Sequence, residues 1–575
     1  MTNDTSFQEM MRRYNRELMR LQKKAAGRSP DEACDHPAPP APRMEPELPP
    51  VTGPDLEPDC PPAPCCDCCE PKPCCDCHEP EPCGPILCEP IPPTCDECRF
   101  EPLEPPACDS CCPEEASHES KSEGKGCVSR DCAVERVTDH SQTVGACGPV
   151  LLQDTLLHER LETFVHREIL ERPIHIKGHG ALGCFQPYSS MAEYTCAGFL
   201  QDPCQKTPVL VRFSQAGSNR GSPDTARDIR GFATKFYTDD GIFDIVGNHI
   251  PVFFVRDAMR FPETIAALSP SPVNNLPDPE RFWSFMARTP EATHMLTWLY
   301  SDLGTVDSYR HIRGYGINTF VWKNADGVRR YVKYHWLPAA GERCITRQEA
   351  VRLAGENPDI AGEDLYTAIA AGGKVEYELC VQLMDPEDAC KLPFDPLDDT
   401  KYWPESVYPL QPVGRMTLDR NPDCYNDQVE KAAFSPANLI PGIELSDDRM
   451  LQGRSFIYWD SQRRRLGPDF RKIPVNCTPN WSPEKMLITS GEGIQTCGPQ
   501  VREAAPKPDN FTQAGERFRG LPATGQEHLI DNIASELYMV SAESQRCVLG
   551  YLREADEHFA DCVSKAMAEY AAGRK

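Results

Sequence analysis

One short stretch, GRSFIYWDSQRRRLG at 453–467, surrounds a tyrosine with cations: Arg454 precedes Tyr458 by four residues, and Arg463, Arg464 and Arg465 follow it. A free phenol titrates near pH ~10, and nearby positive charge favours its ionised form. A tyrosinate is a hard ligand for ferric iron, and haem iron is one of the few sites that uses one. Three further stretches set polar groups beside apolar walls. ERPIHIKGHG carries His175 in extended chain behind Arg172. VRFSQAG places Ser214 just after Arg212, and in DIVGNHIPVFFVRDAMRFPE Asn248 is followed by Phe253, Phe254 and Phe261. Taken singly, each has an ordinary structural reading: a hydrogen-bonded core histidine, a turn asparagine, a strand phenylalanine pair, a solvated arginine face.

Something must bring these stretches together. Runs with strand character (PVLVRFSQAG, GFATKFYT, IFDIVGN, PVFFVRD) are separated by turn residues such as DDG at 239–241. GINTFVWKNADGVRRYVKYHW and GGKVEYELCVQLM extend the set, with helical segments between them. This order suits an antiparallel barrel with helical insertions better than a βαβ repeat. Proline-rich irregular chain follows, and amphipathic helices occupy the stretch after Asp509. At the other end, residues 6–26 space Phe7, Met10, Met11, Tyr14, Leu18 and Leu21 as on an amphipathic helix.

A histidine, an amide side chain, a phenylalanine-rich wall and a cation-backed tyrosine are what a ferric haem peroxide site needs. Here the sequence closely resembles the monofunctional haem catalases. FVHREILERPIHIKG is similar to the distal-histidine motif of that family, and GRSFIYWDSQRRRLG to its proximal-tyrosine motif. RFSQAGS, RDIRGFATKFYTDDGIFDIVGNHIPVFFVRD, PVGRMTLDRNPDCY and AFSPANLIPGIE follow in family order, and FTQAGERFRGLPATGQEHLIDNIA resembles the C-terminal helical segment. The likeness covers roughly residues 143–570. It implies an α+β fold: a catalase-like antiparallel β-barrel at 176–420, an arm before it at 127–175, a wrapping segment with the proximal helix at 421–508 and a helical domain at 509–575.

The same resemblance implies roles. His175 would stand over the distal face of a haem, haem b as first choice, with Ser214 holding its imidazole and Asn248 beside bound peroxide. Tyr458 would ligate the iron, with Arg454 on its phenol oxygen. Arg172, Arg212 and Arg465 match positions that pair with the propionates; Ile174, Val246, Phe253, Phe261, Phe434 and Met450 match the pocket lining. The implied activity is decomposition of hydrogen peroxide to water and O2 through a ferryl porphyrin-radical intermediate, protecting against oxidative stress. A homotetramer is the family's usual assembly. The alternatives are a haem enzyme of this fold acting on organic hydroperoxides, and a structural or metal-binding protein acting through its cysteine-rich arm.

Several positions depart from the family pattern. Asn318 stands where a proximal-side histidine is common, Trp459 where proline is common, and Gln462 where many small-subunit members have histidine. The glutamine resembles large-subunit members, some of which modify their haem. His179 replaces a small residue in the distal motif and reads as a surface histidine. His294 and Trp403 match the outer NADPH pocket of some members, but Arg313, Leu303 and Glu405 replace its Asn, Arg and His. A lost arginine and a gained carboxylate disfavour a phosphate-rich ligand, so tight NADPH binding is not expected.

Composition bounds the rest. A net charge of -27 argues against nucleic acid, and no apolar run is long enough to span a membrane, so a cytoplasmic location is expected. Of 30 cysteines, fifteen fall between Cys60 and Cys112 in a proline-rich segment that extends over 29–126. Proline at this density excludes helix and sheet, and the segment reads as low-complexity chain. Its CCDCC and CCDCH clusters could bind soft metals, form cross-links, or be incidental to an acidic spacer. The dispersed cysteines read as small buried hydrophobes.

Overall fold

The computed structural model describes residues 140–145, 149–166, 169–217, 219–478, 502–503, 505 and 509–573. The expected helix at 1–28 and the cysteine-rich segment at 29–126 lie outside the described residues. Helix α1 (Thr155–His166) precedes strands β1 (Gly178–Pro187), β2 (Thr207–Gln215), β3 (Arg230–Thr238) and β4 (Gly241–Asn248). Helices α2 (Phe261–Leu268), α3 (Pro279–Ala287) and α4 (Thr293–Leu299) are inserted before β5 (Gly314–Tyr315), β6 (Phe320–Lys323) and β7 (Arg329–Pro338). Helices α5 (Arg347–Glu356) and α6 (Ile360–Ala370) lead to β8 (Val375–Met384) and β9 (Gln411–Arg420). Then come β10 (Ile443–Leu445), the long helix α7 (Arg449–Leu466) and the closing set α8 (Thr512–Gly520), α9 (Ala523–Leu537), α10 (Ala542–Ala555) and α11 (Glu557–Ala571).

Every strand pairing is antiparallel. The order β7-β5-β4-β3-β2-β1-β9-β8 closes on itself through β7–β8, giving an eight-stranded barrel, and β6 with β10 extends the sheet beyond β7. The period-two alternation of strand side chains divides each stave between two environments. Val209, Val211 and Phe213 of β2, Phe232 and Phe236 of β3, and Phe243 and Ile245 of β4 join Phe185, Trp336 and Tyr377 in one aromatic core. Their alternates Leu210, Ala233 and Val246 meet Ala432, Phe434 and Tyr458 on the other side of the same sheet. The barrel is therefore filled, and the chemistry lies against its outer face.

A buried ion pair fixes the segment that covers that face. Lys235 and Asp244 sit opposite each other on β3 and β4, both fully buried, with Nζ 2.9 Å from the carboxylate. Lys235 also donates to Ala433 O, and Asp244 accepts from the Ser435 N–H and the Asn438 amide. A charge pair removed from water needs its remaining valences filled; here the 433–438 backbone fills them and is clamped to the barrel. Helix α7 follows, started by the Asp448 carboxylate on the Leu451 N–H and ended at Gly467, whose φ is +87°. The closing helices build a second core with Phe254, Trp283 and Met295, in which Phe518 stacks on Phe559 at 4.2 Å.

Two local expectations are corrected. His179 is not a surface histidine: its Nε2 is buried, and its ring packs near Tyr309 and against Gly362. The absence of a side chain at Gly362 leaves space for a ring where the family has a smaller residue. The dispersed cysteines are not mainly core residues either. Of the ten among the described residues, Cys380 alone is buried and five are exposed.

Candidate active site

A cavity of about 520 Å³ lies between the outer face of β2–β4, α2 and α7. Twelve of the residues singled out from sequence line it: Arg172, Ile174, His175, Arg212, Val246, Asn248, Phe253, Phe261, Phe434, Met450, Arg454 and Tyr458. Ser214 and Arg465 are not among the lining residues; each supports one that is. Register explains the gathering. Arg212, Ala233 and Val246 form one row across β2, β3 and β4, and Ser214, Gly231 and Asn248 form the next.

His175 enters just before β1 with φ at 60°, the left-handed region that a non-glycine residue adopts only when neighbours hold it there. The holding groups are identifiable. Arg212 donates Nη1 to His175 O at 2.9 Å and Nη2 to Ile176 O at 3.0 Å, and the His175 N–H donates to Ala216 O. The ring is placed by Ser214, whose Oγ lies 3.0 Å from Nδ1. Burial, and then the charges of Arg212, Arg454 and Arg172, push its pKa down to about 3, so the imidazole is neutral at any working pH. Gly231, absent from the sequence reading, makes the arrangement feasible. A Cβ there would stand 2.7 Å from His175 Nδ1 and 2.8 Å from Cε1.

At the tyrosine, the helical spacing of four puts Arg454 beside Tyr458, with Nη2 3.0 Å from the phenol oxygen. The same guanidinium donates to Val246 O and to Asn318 Oδ1, while the Asn318 amide donates to Asp448 at 2.9 Å. Asn318 thus completes a chain from Tyr458 to the cap of α7. Burial raises the Asp448 carboxyl's pKa against the lowering effect of the Leu451 N–H and Asn318. Trp459 donates to Asn438, and Gln462 lines the cavity while accepting from Arg465.

The third group is cationic. Arg172, Arg212 and Arg465 are each less than a tenth exposed, and Glu430 is the carboxylate among them. Burial would push the Glu430 carboxyl up, but the three arginines outweigh it and hold it below its ordinary value. Arg172 donates to Val429 O, Glu430 O and Ala432 O, and Arg465 to Glu430 O and Ala432 O. Much of their donor capacity is therefore spent on the turn at 429–432, which composition alone did not suggest. Even so, Arg212 Nε and Arg465 Nε are buried without a hydrogen-bond partner. Three buried guanidiniums against one carboxylate, beside a largely apolar cavity, fit a flat hydrophobic group with acidic arms. Haem with its two propionates has that character, and Tyr458 offers the hard oxygen its iron requires.

A smaller cavity of about 220 Å³ is lined by Trp298, Arg313, Tyr315, Trp403 and Glu405 among others. Arg313 pairs with Glu405 at 2.8 Å, and Arg517 covers the Trp298 ring at 3.6 Å. Both nitrogens of His294 are engaged, one with Thr400 O and the other with the Trp298 N–H. Leu303 contributes a carbonyl to His249.

Comparison with known proteins agrees with this site. Residues 129–507 match the family model "Catalase", and residues 504–567 match "Catalase-related immune-responsive". The chain is similar to Catalase isozyme 1 of Solanum lycopersicum, 41% identical over 446 residues, covering 72% of this chain and 91% of the relative. It is 48% identical over 343 residues to Catalase-2 of Bacillus subtilis (strain 168), covering 59% of this chain and 50% of that one. A solved structure titled "Structure of a bacterial catalase" superposes with a TM-score of 0.71 at 37% identity, covering 75% of this chain and 94% of that one. The chain belongs to the catalase family, haem oxidoreductases that decompose hydrogen peroxide.

Proposed function

We propose that this chain disproportionates hydrogen peroxide to water and O2 at a haem b seated in the larger cavity, with His175, Asn248 and Ser214 as its catalytic set and Tyr458 as the iron ligand. The observation that carries the reading is the convergence on one cavity of a neutral buried histidine, an amide, and a tyrosine backed by a guanidinium. Haem supplies the ferric centre that accepts and returns the oxidising equivalents of peroxide. The chain supplies the rest. Ser214 occupies Nδ1 of His175 and fixes the ring, leaving Nε2 to take a proton from one peroxide oxygen and return it to the other. Asn248 orients the bound oxygen by hydrogen bonding, and Phe253, Phe261, Val246 and Ile174 keep the space apolar. Arg454 aims a donor at the Tyr458 oxygen, while Arg172, Arg212 and Arg465 hold the propionates, with Phe434 and Met450 completing the walls.

The test is a haem-loaded His175→Ala variant. It should keep a Soret band and lose nearly all O2 evolution; substantial activity would remove His175 from the mechanism. The assembly we propose is a homotetramer, with the barrel at 176–420 flanked by its arm, wrapping segment and closing helices. Supporting it, α1 has no buried residue, and Leu161, Phe164 and Val165 are more than half exposed. Light scattering on the full chain measures the assembly directly.

A further inference from the structure

The cavity has a feature that peroxide decomposition does not use. Asp399 is the one carboxylate among its described lining residues, is 1% exposed, and both of its oxygens are buried without a hydrogen-bond partner. Its backbone is engaged, since Asp399 O accepts from the Phe253 N–H, so the residue is fixed in place. A buried carboxyl left unpaired costs several kcal/mol on the order of a lost charged hydrogen bond, and such a group in a folded protein calls for a reason. Its principal electrostatic neighbours are Asp448, Asp398, Lys333 and Arg454, whereas the arginines suited to propionates are not among them. Lys333 is occupied by Ile317 O and Lys401 O, and Asp398 by Arg256 and by the Thr400 N–H and hydroxyl. Burial first, and then the adjacent carboxylates, keep Asp399 in its neutral form. The other walls near it are apolar or already paired: Ile317, Phe253, and Arg454 with its partners on Tyr458, Asn318 and Val246.

A haem anchored by propionates among Arg172, Arg212 and Arg465 presents its methyl-bearing pyrroles to the rest of the cavity wall. Resting on the seating proposed above, we propose that Asp399 is a covalent attachment site for the haem, forming an ester with a porphyrin methyl group during the first exposure to peroxide. The chemistry balances with substrates already at the site. One methyl C–H bond breaks and one Asp399 oxygen bonds to that carbon. The two electrons of the C–H bond reduce the O–O bond of one H2O2. The methyl hydrogen and the carboxyl proton leave in the two waters so formed. No other oxidant is needed. An unpaired carboxyl is suited to this role, because no guanidinium or amide has to be displaced before its oxygen can bond.

The experiment uses the full-length holoenzyme, reconstituted with haem b and treated with a few equivalents of H2O2. The protein is then denatured in acidified organic solvent, and the protein and solvent phases are examined by absorbance and intact mass. The expected result is haem retained with the polypeptide, a mass gain of one haem less two hydrogens, and peptide mapping of the adduct to the segment containing Asp399. Asp399→Leu and Asp399→Asn should load haem yet release all of it on extraction, and Asp399→Glu should restore some retention. Complete release of haem from the peroxide-treated wild type, with a Soret band and O2 evolution intact beforehand, overturns the ester while leaving the catalase reading in place. Equal retention in Asp399→Leu also overturns it. Failure of the wild type to take up haem at all overturns both.

Discussion

Replacing Gly231 by alanine isolates the geometry of the distal site, because it adds one methyl group and changes no charge. The new Cβ would stand 2.7 Å from His175 Nδ1 and 2.8 Å from Cε1, where ordinary contact begins at 3.4 Å, and it would collide with Ser214 Oγ. The backbone of β3 cannot retreat, since Gly231 pairs with Ser214 on one side and Asn248 on the other. The imidazole must therefore move by about 0.7 Å to restore contact distance. Its bond to Ser214 is lost with that movement. A misplacement of about 1 Å at a catalytic group costs on the order of 100-fold in rate, so the haem-loaded Gly231→Ala enzyme should lose ~30- to 100-fold in O2 evolution. Overpacking at one site costs ~1–3 kcal/mol, so the thermal transition should shift by only a few degrees and the Soret band should persist. The assay is initial O2 release with an oxygen electrode at several peroxide concentrations, beside a melting curve. A Gly231→Ala enzyme with wild-type turnover would refute the claim that the gap in β3 positions the histidine.

Other outcomes follow from the same interactions. Tyr458→Phe removes the oxygen offered to iron, and its haem should dissociate on gel filtration while the wild type keeps its Soret band. Asp244→Asn breaks a fully buried pair and loosens the 433–438 segment, and chemical unfolding should show a loss of ~3–5 kcal/mol. His175, His249, His294 and His335 are each pushed by burial to about pH 3 in the folded state. Between about pH 6.5 and 3 the unfolded chain therefore binds more protons at these residues than the folded one. Their contribution is fully present above about pH 6.5 and is lost as the pH falls, so the melting temperature should drop on acidification through that window. NADPH fluorescence should not respond to micromolar additions of this protein, given the Arg313–Glu405 pair in the outer cavity.

Much of the site was readable because its residues carry their chemistry locally. The four-residue step from Arg454 to Tyr458 is a helix property, and α7 places the two side chains 3.0 Å apart. Alternating strand patterns anticipated an antiparallel barrel, though not that β7 and β8 would close it. The missed residues act across the register. Gly231 matters only because it lies between Ser214 and Asn248, and Glu430 only because three distant arginines converge on its turn. Asp399 gave no periodic signal at all; its significance is the absence of partners. The errors have the same origin. His179 was read as exposed from its polarity, but its ring lies in space left by Gly362, a residue 183 positions later. The exposed cysteines show that composition alone does not determine burial.

The most direct measurement is O2 evolution from H2O2 by the purified haem-loaded chain, with the visible spectrum recorded on the same sample and His175→Ala run beside it. The account predicts a Soret band in both proteins, rapid O2 release from the wild type, and almost none from the variant. A Soret band without O2 release in the wild type, or equal release by the two proteins, would contradict it.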